Sequence, residues 1–344
     1  MSHLLSIIVI LLLAIAAGLF LYTLFIAKRV EAGMPPEGRF ITVMGNRLHY
    51  IEQGKGPTIL LVHGLSGVAQ HFGYSVIEQL ARDYHVIAID RPGSGYSVRH
   101  PRSSASLAVQ ADILGGLIDI LRLEKPLLVG HSLGGAVALA TALRYPEKAR
   151  GLALVAPLTH LPGEVSPAFA ALTIRWSWLR KLVAWTLATP LSIRKREKIL
   201  GIVFGPEQPP ADFGLRGGGL LGLRPSHFIA ASSDLTALEQ VLPQMQQQYP
   251  RLALPIAVLY GRQDRILNPQ EQGQALVDIA PGTTLELIDG GHMLPLTQPE
   301  VTADFIRRAM DTAIQPRPSI AKVLDQTDHQ LCSDDMPSPP QAAI

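Results

Sequence analysis

A serine surrounded by small residues stands in LLVGHSLGGAVALA, residues 127–140. An apolar run typical of a buried strand precedes it and a helical pattern begins at Gly135, so Ser132 lies on a sharp strand-to-helix turn. Gly130 and Gly134 suit this turn because larger side chains would collide with the neighbouring strand and helix. The helix N-terminus adds backbone N–H groups and the positive end of the helix dipole for a developing oxyanion. The pattern predicts a nucleophile elbow, with an ordinary glycine-rich turn as the alternative.

A histidine and an aspartate that could activate this serine occur later in the chain. A serine hydroxyl needs a base to take its proton, and His292 stands in IDGGHMLPLTQPE, after the last strand pattern. Asp264, in LYGRQDRIL, comes just past the preceding strand and could orient the imidazole. The order Ser132, Asp264, His292 predicts a catalytic triad at the carboxyl ends of parallel strands. Asp289 is the alternative acid, and a surface-loop role is the alternative for His292.

The stretch HGLSG, residues 63–67, follows the third strand pattern and offers a second source of backbone donors. The N–H groups of Leu65 and Leu133 are expected to face the same oxyanion. His63 is interpreted as a buried, hydrogen-bonded organiser of this loop rather than a proton shuttle. His131 is interpreted as structural or as lining the pocket.

Strand patterns alternate with helical patterns through most of the remaining chain. Strands are expected at residues 40–43, 48–52, 58–64, 85–90, 126–130, 151–157, 255–261 and 284–289, and helices at 69–82, 104–123 and 135–145. This alternation predicts an α/β fold, with a mostly parallel sheet covered by helices on both faces. In DRPGSGYS, residues 90–97, Asp90 and Arg91 are expected to hold the loop after the fourth strand.

The alternation stops between residues 158 and 250. This segment is rich in proline and contains Trp176, Trp178 and Trp185, the three tryptophans of the chain. It is interpreted as a helical lid inserted between two parts of a hydrolase core, residues 35–157 and 251–315. Residues 316–344 have scattered prolines and acids with little periodicity, which predicts a disordered tail.

The N-terminus differs from the rest because residues 4–27 carry no charge. As a helix this stretch is roughly 36 Å long, which exceeds the ~30 Å hydrocarbon core of a bilayer. Residues 1–34 are therefore predicted to be a single-pass transmembrane anchor with a juxtamembrane segment. A cleaved signal peptide, ending at Ala14-Ile15-Ala16, is the alternative, but no Lys or Arg precedes the apolar run and the run continues beyond Ala16. Lys28 and Arg29 after the span favour a cytoplasmic catalytic domain.

Composition limits the remaining function classes. The net charge is +2 with no long basic run, so nucleic acid is not an expected partner. Cys332 is the single cysteine, which rules out an intrachain disulfide and a cysteine-based metal site.

Five ordered motifs, HGLSG, DRPGSGYS, GHSLGG, GRQD and GGHMLPLTQPE, together resemble the α/β-hydrolase superfamily over about residues 39–315. The resemblance implies a sheet of about eight strands with the lid inserted after the sixth. It also implies Ser132 as nucleophile, His292 as general base and acid, and Asp264 as orienting acid. No cofactor or metal is implied.

The expected activity is hydrolysis of carboxylic esters, in the manner of serine esterases and lipases, through an acyl-enzyme on Ser132. A serine nucleophile argues against haloalkane dehalogenase and epoxide hydrolase relatives, which use an aspartate in that place. Amidase, C–C bond hydrolase and cofactor-free haloperoxidase relatives stay open, as does a non-catalytic membrane-bound binding protein. The apolar, aromatic lid and the membrane anchor favour lipid-like or other small hydrophobic esters as substrates.

Apolar residues recur at spacings of three and four between residues 166 and 190, which predicts one face of a helix. They are Phe169, Leu172, Trp176, Leu179, Val183 and Leu187, with Arg175, Arg180 and Lys181 off this face. The face could pack on the hydrolase core. Alternatively, it could line an acyl pocket or touch the bilayer, with the basic residues near lipid head groups.

Overall fold

The computed structural model of the protein describes residues 2–315. The α-helices are α1 Ser2–Gly33, α2 Val76–Leu80, α3 Leu107–Ile120, α4 Leu133–Arg144, α5 Ser177–Val183, α6 Thr189–Arg194, α7 Arg196–Phe204, α8 Pro225–Gln246, α9 Ala275–Ile279, α10 Leu294–Thr297 and α11 Pro299–Ile314. The strands are β1 Arg39–Val43, β2 Asn46–Gln53, β3 Thr58–Val62, β4 His85–Ile89, β5 Leu127–His131, β6 Gly151–Val155, β7 Ile256–Gly261 and β8 Thr283–Ile288. The tail predicted at residues 316–344 lies outside the described residues.

The eight strands form one sheet in the order β1-β2-β4-β3-β5-β6-β7-β8. The β1–β2 and β2–β4 pairs are antiparallel, and every other neighbouring pair is parallel. The predicted mostly parallel eight-stranded sheet is confirmed, and so is the insertion between the sixth and seventh strands. Because the central strands run parallel, the loops that follow them collect at one edge of the sheet.

Hydrophobic cores cover both faces of the sheet, as the apolar runs require. Strand side chains alternate between the faces. Leu128 of β5 packs in the core that includes α3 and α4, whereas Leu127 and Val129 pack in the core that includes α2 and α11. The strand that leads to Ser132 is therefore fully buried on both sides.

The helix expected at residues 69–82 is broken in the structure. A 3-10 turn at Ala69–Phe72 precedes α2, and Ser75 between them adopts a left-handed conformation with φ of 79°. A left-handed residue interrupts the i to i−4 hydrogen bonds, so the two pieces cannot form one helix.

The N-terminal helix α1 has two parts with different surroundings. A stretch of 18 strongly apolar residues has no part buried against the protein. Further along, Thr23, Ala27 and Val30 are buried at helical spacing and form one face. Helix α1 packs there on the segments 184–188 and 219–223, and the Phe20 and Trp185 rings lie 5.3 Å apart. Helix α1 is thus an exposed apolar helix whose C-terminal part is docked on the inserted segment.

The inserted segment consists of short helices, and the single amphipathic helix expected at residues 166–190 is wrong. A 3-10 turn at Ala170–Leu172, then α5, then a π-helical segment at Ala184–Ala188 and α6 replace it. The predicted apolar face is divided as a result. Leu172 and Val183 join a small hydrophobic core of the lid, whereas Trp176 is 66% exposed.

Arg180 also departs from its expected place on the polar face of that helix. Its guanidinium is buried and donates to the Ile174 carbonyl and to the hydroxyls of Ser232, Ser233 and Thr236. The contacts on α8 come from far along the chain, which is why local periodicity could not predict them. Arg180 therefore ties α5 to α8 within the lid.

Candidate active site

Ser132 occupies the predicted turn between β5 and α4. Its backbone has φ of 53° and ψ of −121°, a conformation that non-glycine residues rarely adopt. A side chain at Gly134 would collide with the Val62 carbonyl, and one at Gly130 would collide with the Gly134 backbone. The Ser132 N–H donates to the Val155 carbonyl at 3.0 Å, which ties the turn to β6. The glycines thus allow the close approach that presents the serine above the sheet.

His292 and Asp264 meet as predicted. His292 Nδ1 lies 2.7 Å from Asp264 Oδ2, and both side chains are almost completely buried. Asp264 Oδ1 accepts hydrogen bonds from the backbone N–H groups of Ile266 and Leu267 at 2.8 and 3.0 Å. The alternative acid, Asp289, has a side chain that is 89% exposed. The geometry therefore selects Asp264 as the partner of His292.

The loop that carries His292 is held by residues from several elements. His131 Nε2 donates to the His292 carbonyl at 3.0 Å, because a carbonyl only accepts. Burial, followed by the neighbouring His292, holds the pKa of His131 well below its ordinary value, so His131 is neutral. The Gly291 N–H donates to the Glu207 carboxylate at 3.0 Å. His131 was expected to be structural or to line the pocket, and the structure shows both features.

Ser132, His131 and His292 line the same cavity. The hydrogen bonds of residues 2–315 do not include one between Ser132 Oγ and His292 Nε2. Catalytic hydrogen bonds of this kind often tighten only when substrate is bound.

The two predicted oxyanion donors have free backbone N–H groups. Leu133 is the first residue of α4, where helical N–H groups lack an intrahelical acceptor. Leu65 lies in the loop after β3, and neither residue's N–H donates a hydrogen bond to any described residue. Both residues line a cavity together with Ser132. The arrangement can supply two donors and the positive end of the α4 dipole to an oxygen held next to Ser132.

Arg91 and His63 hold the loop that carries Leu65. His63 Nδ1 donates to the Gly64 carbonyl at 2.8 Å, and His63 Nε2 accepts from the Arg91 N–H at 2.9 Å. Arg91 Nε donates to the His63 carbonyl at 3.0 Å, and an Arg91 Nη donates to the Gly64 carbonyl at 2.9 Å. Arg91 therefore fixes the loop after the third strand as well as its own loop, and His63 is the buried organiser that was predicted.

The partner of Arg91 was not predicted from the sequence. Asp234 of α8 is fully buried and accepts from Arg91 at 2.6 Å, and Arg99 also pairs with it. Burial lowers the pKa of Arg91, whereas Asp234 opposes that change. Asp234 and Glu207 both belong to the inserted segment, where no motif marks them, so only the packing of the lid on the core reveals their roles.

Two cavities meet at Ser132 between the core and the lid. We call the larger one, about 470 Å³, the histidine cavity, because His71, His131, His227 and His292 all line it. We call the other, about 360 Å³, the leucine cavity. Its lining is mostly apolar but also includes the charged residues Glu164, Arg175 and Glu239. The apolar lining residues include Leu65, Leu133, Leu158, Leu161, Pro162, Val165, Phe169, Leu235, Leu238, Ile266 and Leu267. Ser132 thus has apolar space on two sides, as an ester with an acyl part and an alcohol part would need.

We searched the described residues for side chains that could bind a metal ion. Within residues 2–315, no group of three or more His, Cys, Asp or Glu side chains is placed to hold a metal ion.

Comparisons with known proteins agree with this architecture. Residues 57–299 match the family model described as alpha/beta hydrolase fold. An uncharacterized protein of Mycobacterium tuberculosis is 30% identical over 288 residues, which cover 81% of this chain and 82% of that protein.

Two solved structures are also similar. A bacterial membrane phospholipase A matches with a TM-score of 0.67 and 24% identity, over 92% of this chain and 99% of that one. A thermophilic esterase from Thermogutta terrifontis matches with a TM-score of 0.60 and 26% identity, over 81% of this chain and all of that one. Because the family model matches more than half of this chain, the chain belongs to the α/β-hydrolase fold family.

Proposed function

We propose that the protein is a serine hydrolase that cleaves carboxylic esters of hydrophobic substrates through an acyl-enzyme on Ser132. One observation carries the proposal. Ser132 lines two largely apolar cavities, together with His292 of the buried His292–Asp264 pair and with Leu65 and Leu133, whose backbone N–H groups are free.

The chemistry follows from these positions. Ser132 Oγ attacks the ester carbonyl while His292 Nε2 takes its proton. The Leu65 and Leu133 N–H groups stabilise the oxyanion, and Asp264 keeps the His292 Nδ1 proton in place and stabilises the imidazolium. His292 then gives the proton to the leaving alcohol. In the second half, His292 takes a proton from a water molecule that attacks the acyl-enzyme carbonyl. His292 then returns the proton to Ser132 Oγ, and the carboxylic acid leaves. No step requires a metal or a cofactor.

The lining of the histidine cavity supports hydrophobic esters. In the histidine cavity, Arg196 is the only Lys, Arg, Asp or Glu among the described lining residues, and it is exposed. Most other lining side chains are aliphatic or aromatic. The likeness to an esterase and to a membrane phospholipase A is consistent with this proposal.

A substrate panel tests the reaction type. Purified protein should hydrolyse p-nitrophenyl esters, with activity that depends on acyl length, and a fluorophosphonate should label Ser132. Matching p-nitroanilides should react far more slowly. Faster cleavage of the anilides would indicate an amidase. Fluorophosphonate labelling without ester cleavage would favour carbon–carbon bond hydrolysis, which should then be tested with a vinylogous diketone substrate.

We also propose that α1 anchors the enzyme in a bilayer. Its exposed apolar stretch is long enough to span the hydrocarbon region. Its docked C-terminal part contacts the lid, where Trp178, Leu182 and Leu191 expose large apolar side chains. The lid would then lie beside the membrane surface. Lys28 and Arg29 favour the cytoplasmic side for the catalytic domain.

Membrane fractionation tests the anchor. The full-length protein should sediment with membranes and resist carbonate extraction. A chain that begins near residue 33 should be released, and it should be less stable because Thr23, Ala27 and Val30 no longer cover the lid. A mature N-terminus at Ala17 would show signal cleavage and contradict the anchor.

A further inference from the structure

Two histidines in the histidine cavity have no part in the proposed triad. His71 lies in the 3-10 turn at Ala69–Phe72, and His227 lies in the first turn of α8. They are 6% and 3% exposed, and both line the cavity that contains Ser132 and His292. His227 is close enough to His71 to disfavour a proton on the His71 ring. The core and the lid each contribute one of the pair.

These imidazoles have unused hydrogen-bonding capacity. Among the described residues, neither Nδ1 nor Nε2 of His227 has a hydrogen-bond partner, although both atoms are buried. The Ser66 carbonyl is near enough to favour protonation of His227 but does not reach hydrogen-bond geometry. No hydrogen bond joins the His71 ring to a described residue either. Unpaired buried polar groups are costly, so a ring of this kind in a ligand cavity points to a polar group on the ligand.

The charge state of the pair limits what that group can be. Burial lowers the pKa of His71 to about 4. Repulsion from His227 lowers this pKa further, whereas the Asp90 carboxylate raises it. Burial also lowers the pKa of His227 to about 4, with Arg224 adding to it. Both rings are therefore neutral at neutral pH, and each offers one donor and one acceptor. A hydroxyl group, which also donates and accepts, matches a neutral imidazole, whereas an anion would need the imidazolium.

The position of His292 shows which part of the ester reaches these histidines. As general acid, His292 must give a proton to the leaving alcohol oxygen, so the alcohol has to lie on the His292 side. His292 lines the histidine cavity but not the leucine cavity. The alcohol part is thus assigned to the histidine cavity and the acyl chain to the leucine cavity.

We propose that His71 and His227 form a subsite for a free hydroxyl on the alcohol part of the substrate, so that neutral partial esters of polyols are preferred. This inference rests on the proposed ester hydrolysis at Ser132. The expected substrates are monoacylglycerol-type esters rather than esters of simple alkanols.

A matched pair of substrates tests the subsite. Monooctanoylglycerol and propyl octanoate share the acyl chain and the three-carbon alcohol, and differ in two hydroxyls. The measured quantity is the ratio of kcat/KM for the glycerol ester to that for the propyl ester, because a general change in activity cancels in it. We expect a ratio above about five for the wild type, the effect of one or two hydrogen bonds.

Variants of the pair should change this ratio. His227→Leu should lower it about fivefold to tenfold, and His227→Gln, which keeps a donor and an acceptor, should restore part of it. Phe228→Leu is the matched control, since Phe228 is the next residue and also lines the cavity. It should leave the ratio unchanged. A wild-type ratio near one, or an unchanged ratio in a folded His227→Leu variant, would overturn the subsite.

A binding measurement separates this inference from the proposed function. The non-hydrolysable ether 1-O-octylglycerol should slow fluorophosphonate labelling of Ser132 at lower concentration than octyl propyl ether does. Equal protection by the two ethers would overturn the subsite even if esters are cleaved. Selective protection without cleavage of either ester would instead support the subsite and reject ester hydrolysis. The wild-type protein alone answers this question, so folding of the variants does not limit it.

Discussion

The sheet edge that carries the candidate triad and the inserted segment that we interpret as a lid are built in opposite ways. At the sheet edge, the Asp264 side chain is fully buried and its carboxylate accepts three hydrogen bonds. The strand leading to Ser132 is buried along its whole length. The lid consists of short α, 3-10 and π-helical segments, and Trp176 and Trp178 on it are 66% and 65% exposed. The candidate triad thus lies on buried elements, which suit chemistry that needs fixed geometry, whereas the lid exposes large apolar side chains.

The sheet edge and the lid are not independent, because polar side chains of the lid contact the loops at the sheet edge. Asp234 pairs with Arg91, which holds the Leu65 loop, and Glu207 accepts from the Gly291 N–H beside His292. The lid therefore supports both loops of the candidate site, in addition to covering the cavities.

The largest expected effect is at the nucleophile. Ser132→Ala should lower ester hydrolysis at least about a thousandfold while the melting temperature stays close to that of the wild type, since a triad member is lost without loss of packing. Assays need purified protein free of host esterases. Activity above about 1% of wild type would show that Ser132 at the sheet edge is not the nucleophile.

A second pair of variants tests whether Asp264 is the acid that pairs with His292. Asp264→Asn should lower kcat at least about a hundredfold, because the amide favours the wrong tautomer of His292. Asp289→Asn, at an exposed side chain, should change kcat less than about tenfold. The reverse ranking would move the acid to Asp289 and contradict the observed contact.

A third pair tests whether the lid is part of the fold or only a cover. Asp234→Asn leaves the buried Arg91 without its carboxylate and should cost about 3–5 kcal/mol of unfolding free energy in a urea titration. Glu239→Gln is the matched control on the same helix, in an ion pair whose side chains are 74% and 55% exposed. It should cost less than about 1 kcal/mol. Equal costs would mean that the lid and the core are not coupled through Arg91.

The smallest expected effect concerns the exposed face of the lid. Trp178→Ala should change the unfolding free energy by no more than about 0.5 kcal/mol, because the side chain packs against little. Activity on octanoyl esters presented in anionic vesicles should nevertheless fall severalfold relative to activity on dissolved p-nitrophenyl acetate, if the indole lies in the interface. A loss shared by both substrates would reject a membrane-facing role for this surface.

Much of the core and of the candidate triad could be predicted from the sequence. Buried parallel strands are short apolar runs, and their carboxyl ends meet at one edge, so motifs that follow β5, β7 and β8 had to converge. For the same reason Ser132, Asp264 and His292 could be named, and GHSLGG indicated the strained turn. The unbroken apolar run at residues 4–27 was equally local and predicted the long exposed helix.

Only the tertiary structure decided the features that depend on contacts between distant segments. The choice of Asp264 over Asp289 required the distance to His292. The burial of Arg180 follows from packing against α8, and periodicity within 25 residues cannot include that contact. His71 and His227 likewise line one cavity because the inserted segment packs on the core. Local pattern therefore determined which residues could do chemistry, and packing of the lid decided what surrounds them, because side-chain burial depends on neighbours that are far away in the chain.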